Sequence, residues 1–252
     1  MKRGQVTIFV IIAIIILATG FFLIGKNDIP QSHYQVREIN TYIESCLDES
    51  LVKSLRFLGI QGIIFNNSKD FGDLTHFNIP FYYYNGENRL PTLNEIEEVL
   101  GTYTEIYFTD CINNLKNVSS IEVREISEKK ILVKIDDEKV TTKLRYPLEI
   151  KKEEETFTLE EFEAIIDFDF NEVYTTLKNI LEEQEKNPDF PPLAYLSTLF
   201  YQENISVLMT DLPIDTKVYV LTFNDLELLG DPYIVSFAIK YDWSGLDEKD
   251  EK

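Results

Sequence analysis

The chain has 252 residues, of which 44% are hydrophobic and 13% aromatic, and it carries a formal net charge of −20. This apolar content predicts a folded chain and argues against a disordered one. The negative charge argues against nucleic acids or anionic membrane surfaces as partners, because contacts with phosphate groups require clusters of Lys and Arg.

The chain begins with an apolar segment long enough to span a membrane. Val6–Ile24 contains 19 residues without a charge, and as a helix it would be about 28 Å long, close to the roughly 30 Å hydrocarbon core of a bilayer. A secretory signal peptide would have a shorter apolar core and a small-residue cleavage site. Lys2 and Arg3 precede the segment and predict a cytoplasmic N-terminus. We therefore expect a retained single-pass anchor over residues 1–25, with the C-terminal domain outside the cell.

The residues before this helix resemble the class III signal of archaeal type IV pilin-like surface proteins. Lys2-Arg3-Gly4-Gln5 stands directly before the apolar segment, as it does in that family. The resemblance implies that a peptidase cuts between Gly4 and Gln5 and leaves the helix on the mature chain. It departs from the bacterial pilin pattern at Phe9, where a Glu is usual. In a pilin-like subunit, the Val6–Ile24 helices of many copies would pack together in a filament core.

The whole chain also resembles a group of uncharacterised archaeal single-pass membrane proteins. The matching segments are Gly4–Phe9, Tyr42–Leu47 and Leu58–Gly62. This resemblance implies an archaeal origin and the same membrane topology, and it transfers no function.

Cys46 and Cys111 are the two cysteines of the chain. Outside the membrane an even number indicates a disulfide, and the alternative is two buried free thiols. We favour the disulfide, which would close a loop of about 65 residues and stabilise the fold by about 4 kcal/mol in the chain-entropy model. His33 and His76 do not complete a metal-binding spacing with them, so we predict no metal and no other cofactor.

Two amphipathic helices are predicted in a helical stem and helix-loop-helix region over residues 26–118. Apolar residues recur at spacings of three and four from Val36 to Leu58, and Gly59 is the expected residue after the C-terminus of that helix. The second helical pattern covers Thr92–Leu115. Each cysteine lies on the apolar face of one helix, so the disulfide would join the two.

Local signals define the ends of two elements in the same region. Thr92 and Glu95 form a capping box at the start of the second helix. Asn85-Gly86 follows the aromatic run Phe81–Tyr84 and predicts a hairpin turn. We interpret the aromatic run as a packing strand, with a sugar-binding platform as the alternative.

An antiparallel α+β domain is predicted over residues 119–242, followed by a charged tail over 243–252. Alternating patterns predict a meander of strands with turns between them, and Pro147 indicates an edge or a bulge in the third strand. Thr156–Phe170 combines a helical capping pattern with strand alternation, and we choose a strand. The predicted strands are Ile121–Ile126, Ile131–Ile135, Val140–Ile150, Thr156–Phe170, Ile205–Met209, Thr216–Phe223 and Tyr233–Tyr241, and the predicted helices are Val173–Lys186 and Leu193–Tyr201.

Few residues show a catalytic or ligand-binding pattern. Ser50–Lys53 matches the S-x-x-K nucleophile motif, but the partner motifs of that enzyme class are absent from the sequence. Asp167–Asn171 begins like a calcium loop, yet Glu172 occupies the position that requires Gly. The N-x-[ST] sequons at Asn66, Asn117 and Asn204 are candidate glycosylation sites for an extracellular domain.

Together these features predict a membrane-anchored extracellular structural or interaction protein that is not an enzyme. Its expected partners are the lipid bilayer, through Val6–Ile24, and either copies of itself or other surface proteins. The alternatives are a pilin-like filament subunit processed at Gly4–Gln5, an anchored extracellular hydrolase, or a ligand-binding ectodomain.

Overall fold

A computed structural model of the chain describes residues 31–62, 79–113, 122–152, 155–213, 215–241 and 243. The chain divides into two compact units, Met1–Ile39 and Asn40–Lys252. The first unit is described only where its last residues form the start of a helix. The predicted anchor Val6–Ile24 lies outside the described residues. Among the helices that are described, none combines the length and the apolar character needed to cross a bilayer.

The described residues form an α+β fold, as predicted, with four helices and nine strands. The helices are α1 (Gln31–Gln61), α2 (Leu93–Asn113), α3 (Phe170–Lys186) and α4 (Leu193–Gln202). The strands are β1 (Phe81–Tyr84), β2 (Glu87–Asn88), β3 (Glu122–Glu125), β4 (Lys130–Ile135), β5 (Lys139–Lys152), β6 (Glu155–Asp167), β7 (Ile205–Leu212), β8 (Thr216–Leu228) and β9 (Asp231–Lys240).

The first sheet has five strands in the order β2-β1-β9-β8-β7, which leaves β7 and β2 at its edges. Its neighbouring strands are antiparallel except for β1 and β9, which run parallel. The predicted hairpin between β1 and β2 is confirmed. Asn85 and Gly86 have φ values of 49° and 87°, and two positive φ values are what a type I′ turn requires.

The second sheet is built on β5, with β6 along one of its edges. β4 and β3 share the other edge, since β4 pairs with Val140–Arg145 and β3 with Leu148–Lys151. The predicted meander is therefore correct for β4, β5 and β6, but wrong for β3, which pairs with the far end of β5. The predicted bulge at Pro147 is confirmed, because the register of β5 against β6 shifts between Arg145 and Leu148. Proline has no N–H for the ladder, which explains the shift.

The ambiguous segment Thr156–Phe170 is a strand over most of its length. β6 places Phe162 and Ala164 in the interior, as the strand alternation predicted. The strand ends before Asp169, whose carboxylate accepts a hydrogen bond from the backbone N–H of Glu172 at 3.0 Å and caps α3.

Gly59 lies inside α1, so the prediction that the helix ends there is wrong. The helix continues to Gln61 and is followed by Gly62, which has a φ of 70°. A Cβ atom on Gly59 would lie 2.2 Å from the carbonyl oxygen of Ile234 and 2.9 Å from the ring of Tyr233. Gly59 is therefore needed for close packing of α1 against β9, which the local sequence pattern does not reveal.

One hydrophobic core joins the two sheets and the helices of the second unit. It contains Leu51 and Leu55 of α1, Leu100 of α2, Val173, Leu177 and Ile180 of α3, Leu199 of α4, Tyr219, Leu221 and Phe237 of the first sheet, and Val133 and Val140 of the second. Tyr82 and Tyr83 are buried in the same core, and the Tyr82 ring stacks on Phe237 with 5.3 Å between centroids. The aromatic run is thus a packing strand, as predicted.

Candidate functional site

The predicted disulfide between Cys46 and Cys111 is confirmed. It joins α1 to α2, with 5.8 Å between the Cα atoms and 65 positions between the cysteines in sequence. Cys46 is buried, and the hydroxyl of Tyr42 donates to the carbonyl oxygen of Cys111 at 3.2 Å. Disulfides persist in oxidising compartments, so this bond bears on where the domain resides.

Ser50 of the S-x-x-K match is a structural residue of the core. It is buried, and its hydroxyl donates to the carbonyl oxygen of Cys46 at 2.5 Å. The next turn repeats this contact, since Ser54 donates to the carbonyl oxygen of Ser50 at 2.7 Å. Lys53 instead points to solvent and pairs with Glu49 at 2.7 Å. A nucleophile and its base must lie within hydrogen-bond reach of each other, but the Ser50 hydroxyl donates to a backbone carbonyl and the Lys53 ammonium pairs with Glu49.

The acidic residues around the start of α3 surround a helix cap. Asp169 caps α3, and the side-chain amide of Asn171 donates to the carbonyl oxygen of Asp136 at 3.0 Å. Burial raises the pKa of Glu172, and the nearby carboxylates of Asp169, Glu203 and Asp225 raise it further. Within the described residues, no group of three or more His, Cys, Asp or Glu side chains is arranged to hold a metal ion.

Asn204 is the one candidate glycosylation site within the described part of the chain. It is exposed in the turn between α4 and β7 and has a φ of 52°. Its amide nitrogen donates to the carboxylate of Asp225 at 2.9 Å, which uses one of its two hydrogens. The sequons at Asn66 and Asn117 and the processing residues Gly4 and Gln5 fall outside the described residues. These four positions, and glycosylation of Asn204, remain predictions.

A cleft of about 420 Å³ lies between α1 and the β8–β9 hairpin. Its lining residues include Arg56, Ile60, Leu228, Asp231, Tyr233 and Ile234. Three polar side chains of this lining already have partners: Arg56 pairs with Asp231 at 2.9 Å, and the hydroxyl of Tyr233 donates to the carbonyl oxygen of Leu55 at 2.9 Å. Burial also raises the pKa of Tyr233, so its hydroxyl is unsuited to act as a base. The cleft is therefore a packing feature of α1 on the hairpin.

A buried polar network fixes the segment that leads into α4. The hydroxyls of Tyr219 and Tyr241 lie 2.6 Å apart, and Tyr241 donates to the side-chain oxygen of Gln184 at 3.1 Å. The amide nitrogen of Gln184 in turn donates to the carbonyl oxygens of Asn187 and Phe190, at 2.9 and 3.1 Å. Burial raises the pKa of Tyr219 to about 12. These contacts tie the turn after α3 to the first sheet and hold the start of α4 in place.

The surface formed by α4 and β7 differs from the rest of this acidic chain. Pro191–Gln202 contains no charged residue, and Ile205–Thr210 contains none either. Both elements also expose large apolar side chains, and α4 packs against β7. We call this region the α4–β7 surface and define it by its exposed apolar residues Leu193, Phe200, Tyr201, Leu208 and Met209, of which Leu208 and Met209 lie on opposite faces of β7.

Exposure is highest at two residues of the α4–β7 surface. Tyr201 is 82% exposed and Leu208 is 61% exposed. Apolar surface of this kind on a folded chain marks interaction sites. Sequence reasoning missed this surface, although an uncharged stretch in a chain of net charge −20 was a usable signal.

Comparisons with protein-family models, with curated proteins and with solved structures found no match for this chain.

Proposed function

We propose that this chain is a membrane-anchored protein of the cell surface whose folded domain acts by binding other macromolecules. The observation that carries the interaction role is the α4–β7 surface, where apolar side chains such as Tyr201 and Leu208 are exposed on an uncharged part of an acidic domain. Aromatic and apolar side chains supply most of the binding energy at protein interfaces, whereas acidic residues are depleted there.

The proposed location is supported by the disulfide and by the charge pattern of the N-terminus. The Cys46–Cys111 bond would be reduced in most cytoplasmic compartments and persists outside the cell. Lys2 and Arg3 precede the uncharged segment Val6–Ile24, and positive charge on the cytoplasmic side is the common rule for single-pass anchors. Both features support the same orientation, with the folded domain outside.

Labelling of intact cells tests this orientation. The side chains of Lys143 and Lys53 are 72% and 53% exposed, so a membrane-impermeant amine reagent should modify both without cell lysis. A variant with Lys2→Glu and Arg3→Glu is the matched control. It should lose labelling on intact cells, because the charge bias that orients the anchor is removed. Labelling of the natural chain only after lysis would contradict the proposed location.

Photo-crosslinking on cells tests the interaction role. A photo-reactive residue in place of Tyr201 should form a covalent adduct with another macromolecule. The same residue in place of Leu229, which is 75% exposed in the turn between β8 and β9, serves as the control and should form none. Equal or absent adducts at the two positions would contradict the proposal.

A pilin-like filament subunit is the second candidate, and the packing of α1 favours it. The second half of this helix packs against the first sheet through Gly59 and Leu55, whose carbonyl oxygen accepts the hydrogen bond from Tyr233. The resemblance to archaeal pilin-like proteins implies an N-terminal helix whose second half packs on a sheet. It also implies that a peptidase cuts between Gly4 and Gln5. Mass spectrometry of the native N-terminus tests this candidate, which predicts a chain that starts at Gln5; a chain that still carries Lys2 and Arg3 would contradict it.

A further inference from the structure

The outer edge of β7 is open. β7 pairs with β8 on one side and, among the described strands, with none on the other. An open edge presents a row of backbone N–H and C=O groups that another strand can pair with. We propose that β7 pairs in antiparallel fashion with β7 of a second copy of this chain. This inference rests on the proposed interaction role and names the partner.

β7 lacks the features that protect most edge strands against pairing. Folded proteins usually block such edges with Lys or Pro residues or with bulges. Ile205–Thr210 contains neither charge nor Pro, and the register of β7 against β8 is regular over all eight residues of β7. Asp211 is the first charged residue, and Lys217 of the same chain already forms an ion pair with it. Pairing at this edge would therefore leave no unpaired charge buried.

The net charge favours this edge as the meeting point of two copies. Each chain carries a formal charge of −20, so two copies repel each other over most of their surfaces. They can approach closely where both are uncharged, and β7 meets that condition for six consecutive residues. The charge pattern therefore permits two copies to meet at β7, and the open edge supplies the backbone groups for pairing.

The side chains of residues 206–210, the central part of β7, are also self-complementary about a two-fold axis. Opposite residues of an antiparallel pair lie on the same face of a sheet, so a symmetric pair must be centred on a residue. Leu208 is close to the middle of Ile205–Leu212. With the axis there, Leu208 lies opposite Leu208 of the second copy, Val207 opposite Met209, and Ser206 opposite Thr210. Each match is apolar with apolar or hydroxyl with hydroxyl, which are favourable cross-strand pairs.

Pairing in this register would place the two copies of α4 on the same side of the joined sheet. Val207 and Met209 lie on the face of β7 that carries Leu221 and Tyr219 of β8, and that face looks into the core. Leu208 lies on the opposite face, beside Val220. The five-stranded sheets of the two copies would become one sheet of ten strands, and the exposed side chain of Leu208 would be covered by its own counterpart.

A charge placed at the axis tests this inference on the full chain in detergent. Leu208→Lys puts two positive charges directly opposite each other, so the dimer dissociation constant from sedimentation should rise about tenfold or more. Leu132→Lys is the matched control, because it makes the same substitution in another edge strand, β4, at a side chain that is 57% exposed. The control should leave the dissociation constant unchanged. A monomeric natural chain, or equal effects of the two substitutions, would overturn the inference.

A cysteine at the axis gives a second test that does not depend on affinity. Opposite Cα atoms in an antiparallel pair are about 4.5–5.5 Å apart, within the range that a disulfide bridges. The two natural cysteines are already joined to each other, so Leu208→Cys adds the reactive thiol. Mild oxidation should link two Leu208→Cys chains and leave Leu132→Cys chains unlinked. Equal linking at both positions, or none at Leu208, would overturn the inference.

The Tyr201 photo-probe and the oligomeric state of the chain together distinguish self-pairing from the broader interaction role. An adduct of the Tyr201 photo-probe with a different protein, combined with a chain that stays monomeric, would overturn self-pairing and leave the interaction role standing. An adduct whose mass is twice that of the chain supports both.

Discussion

Removal of the disulfide should destabilise the domain by several kilocalories per mole. The bond between Cys46 and Cys111 spans 65 positions. In the chain-entropy model, a closed loop of this length removes about 14 cal/mol/K from the unfolded ensemble, which corresponds to about 4 kcal/mol at 25 °C. The double variant Cys46→Ala and Cys111→Ala should therefore unfold at a lower urea concentration. Its unfolding should also show a steeper urea dependence, because the unfolded chain exposes more surface without the cross-link.

The two cysteine substitutions also remove packing, so a control is needed. Reduction of the natural chain with a thiol reagent breaks the bond and leaves both sulfur atoms in place. If chain entropy dominates, the reduced chain and the double variant should lose similar free energies of unfolding. A loss below about 1 kcal/mol in both would refute the entropic reasoning, whereas a loss confined to the double variant would assign the stability to packing of the buried Cys46.

Three further predictions concern single residues of the fold. Gly59→Ala should destabilise the fold by about 1–3 kcal/mol, because the new Cβ atom clashes with Ile234. Gly101→Ala in α2 is the control and should be neutral or stabilising, since its Cβ atom would meet only the carbonyl oxygen of Ile131 at 3.9 Å. Urea unfolding of both variants checks this prediction, and equal losses of stability would contradict it. Thr142→Val should raise the free energy of unfolding by about 1 kcal/mol, because Thr142 Oγ1 is buried without a hydrogen-bond partner among the described residues, and a lower thermal midpoint would contradict it. The pKa of Glu172 is raised in the fold, so the stability that its protonated form contributes is lost as pH rises through that pKa. Glu172→Gln, which cannot ionise, should therefore be more stable than the natural chain towards neutral pH. Below about pH 4, where the natural Glu172 is protonated, the two chains should be equally stable.

Features set by neighbouring residues were predictable from the sequence. The capping box is an example: the hydroxyl of Thr92 accepts from the N–H of Glu95 at 3.4 Å, and the Glu95 carboxylate accepts from the N–H of Thr92 at 2.8 Å. The Asn85-Gly86 turn and the strand at Thr156–Phe170 are of the same kind. Each depends on backbone preferences or side-chain alternation within a few positions.

Features set by distant residues were not predictable in the same way. The parallel pairing of β1 with β9 joins Tyr83 to Ile239, and no local pattern carries such a pairing. Gly59 was predicted to end the helix because glycine is common just after a helix C-terminus. Its actual role depends on the close contact with Ile234, which is distant in sequence. The α4–β7 surface was missed for a related reason, since exposure of Leu208 depends on where the sheet ends.

Cross-linking at Leu208 on intact cells is the most direct test of the account. A membrane-impermeant oxidant added to cells that display Leu208→Cys chains should produce dimers that a reducing agent separates. Leu132→Cys chains should stay monomeric under the same conditions. This result requires both that the domain lies outside the cell and that β7 meets its own copy. Dimers that form only after lysis would contradict the location, and equal dimers at the two positions would contradict the β7 interface.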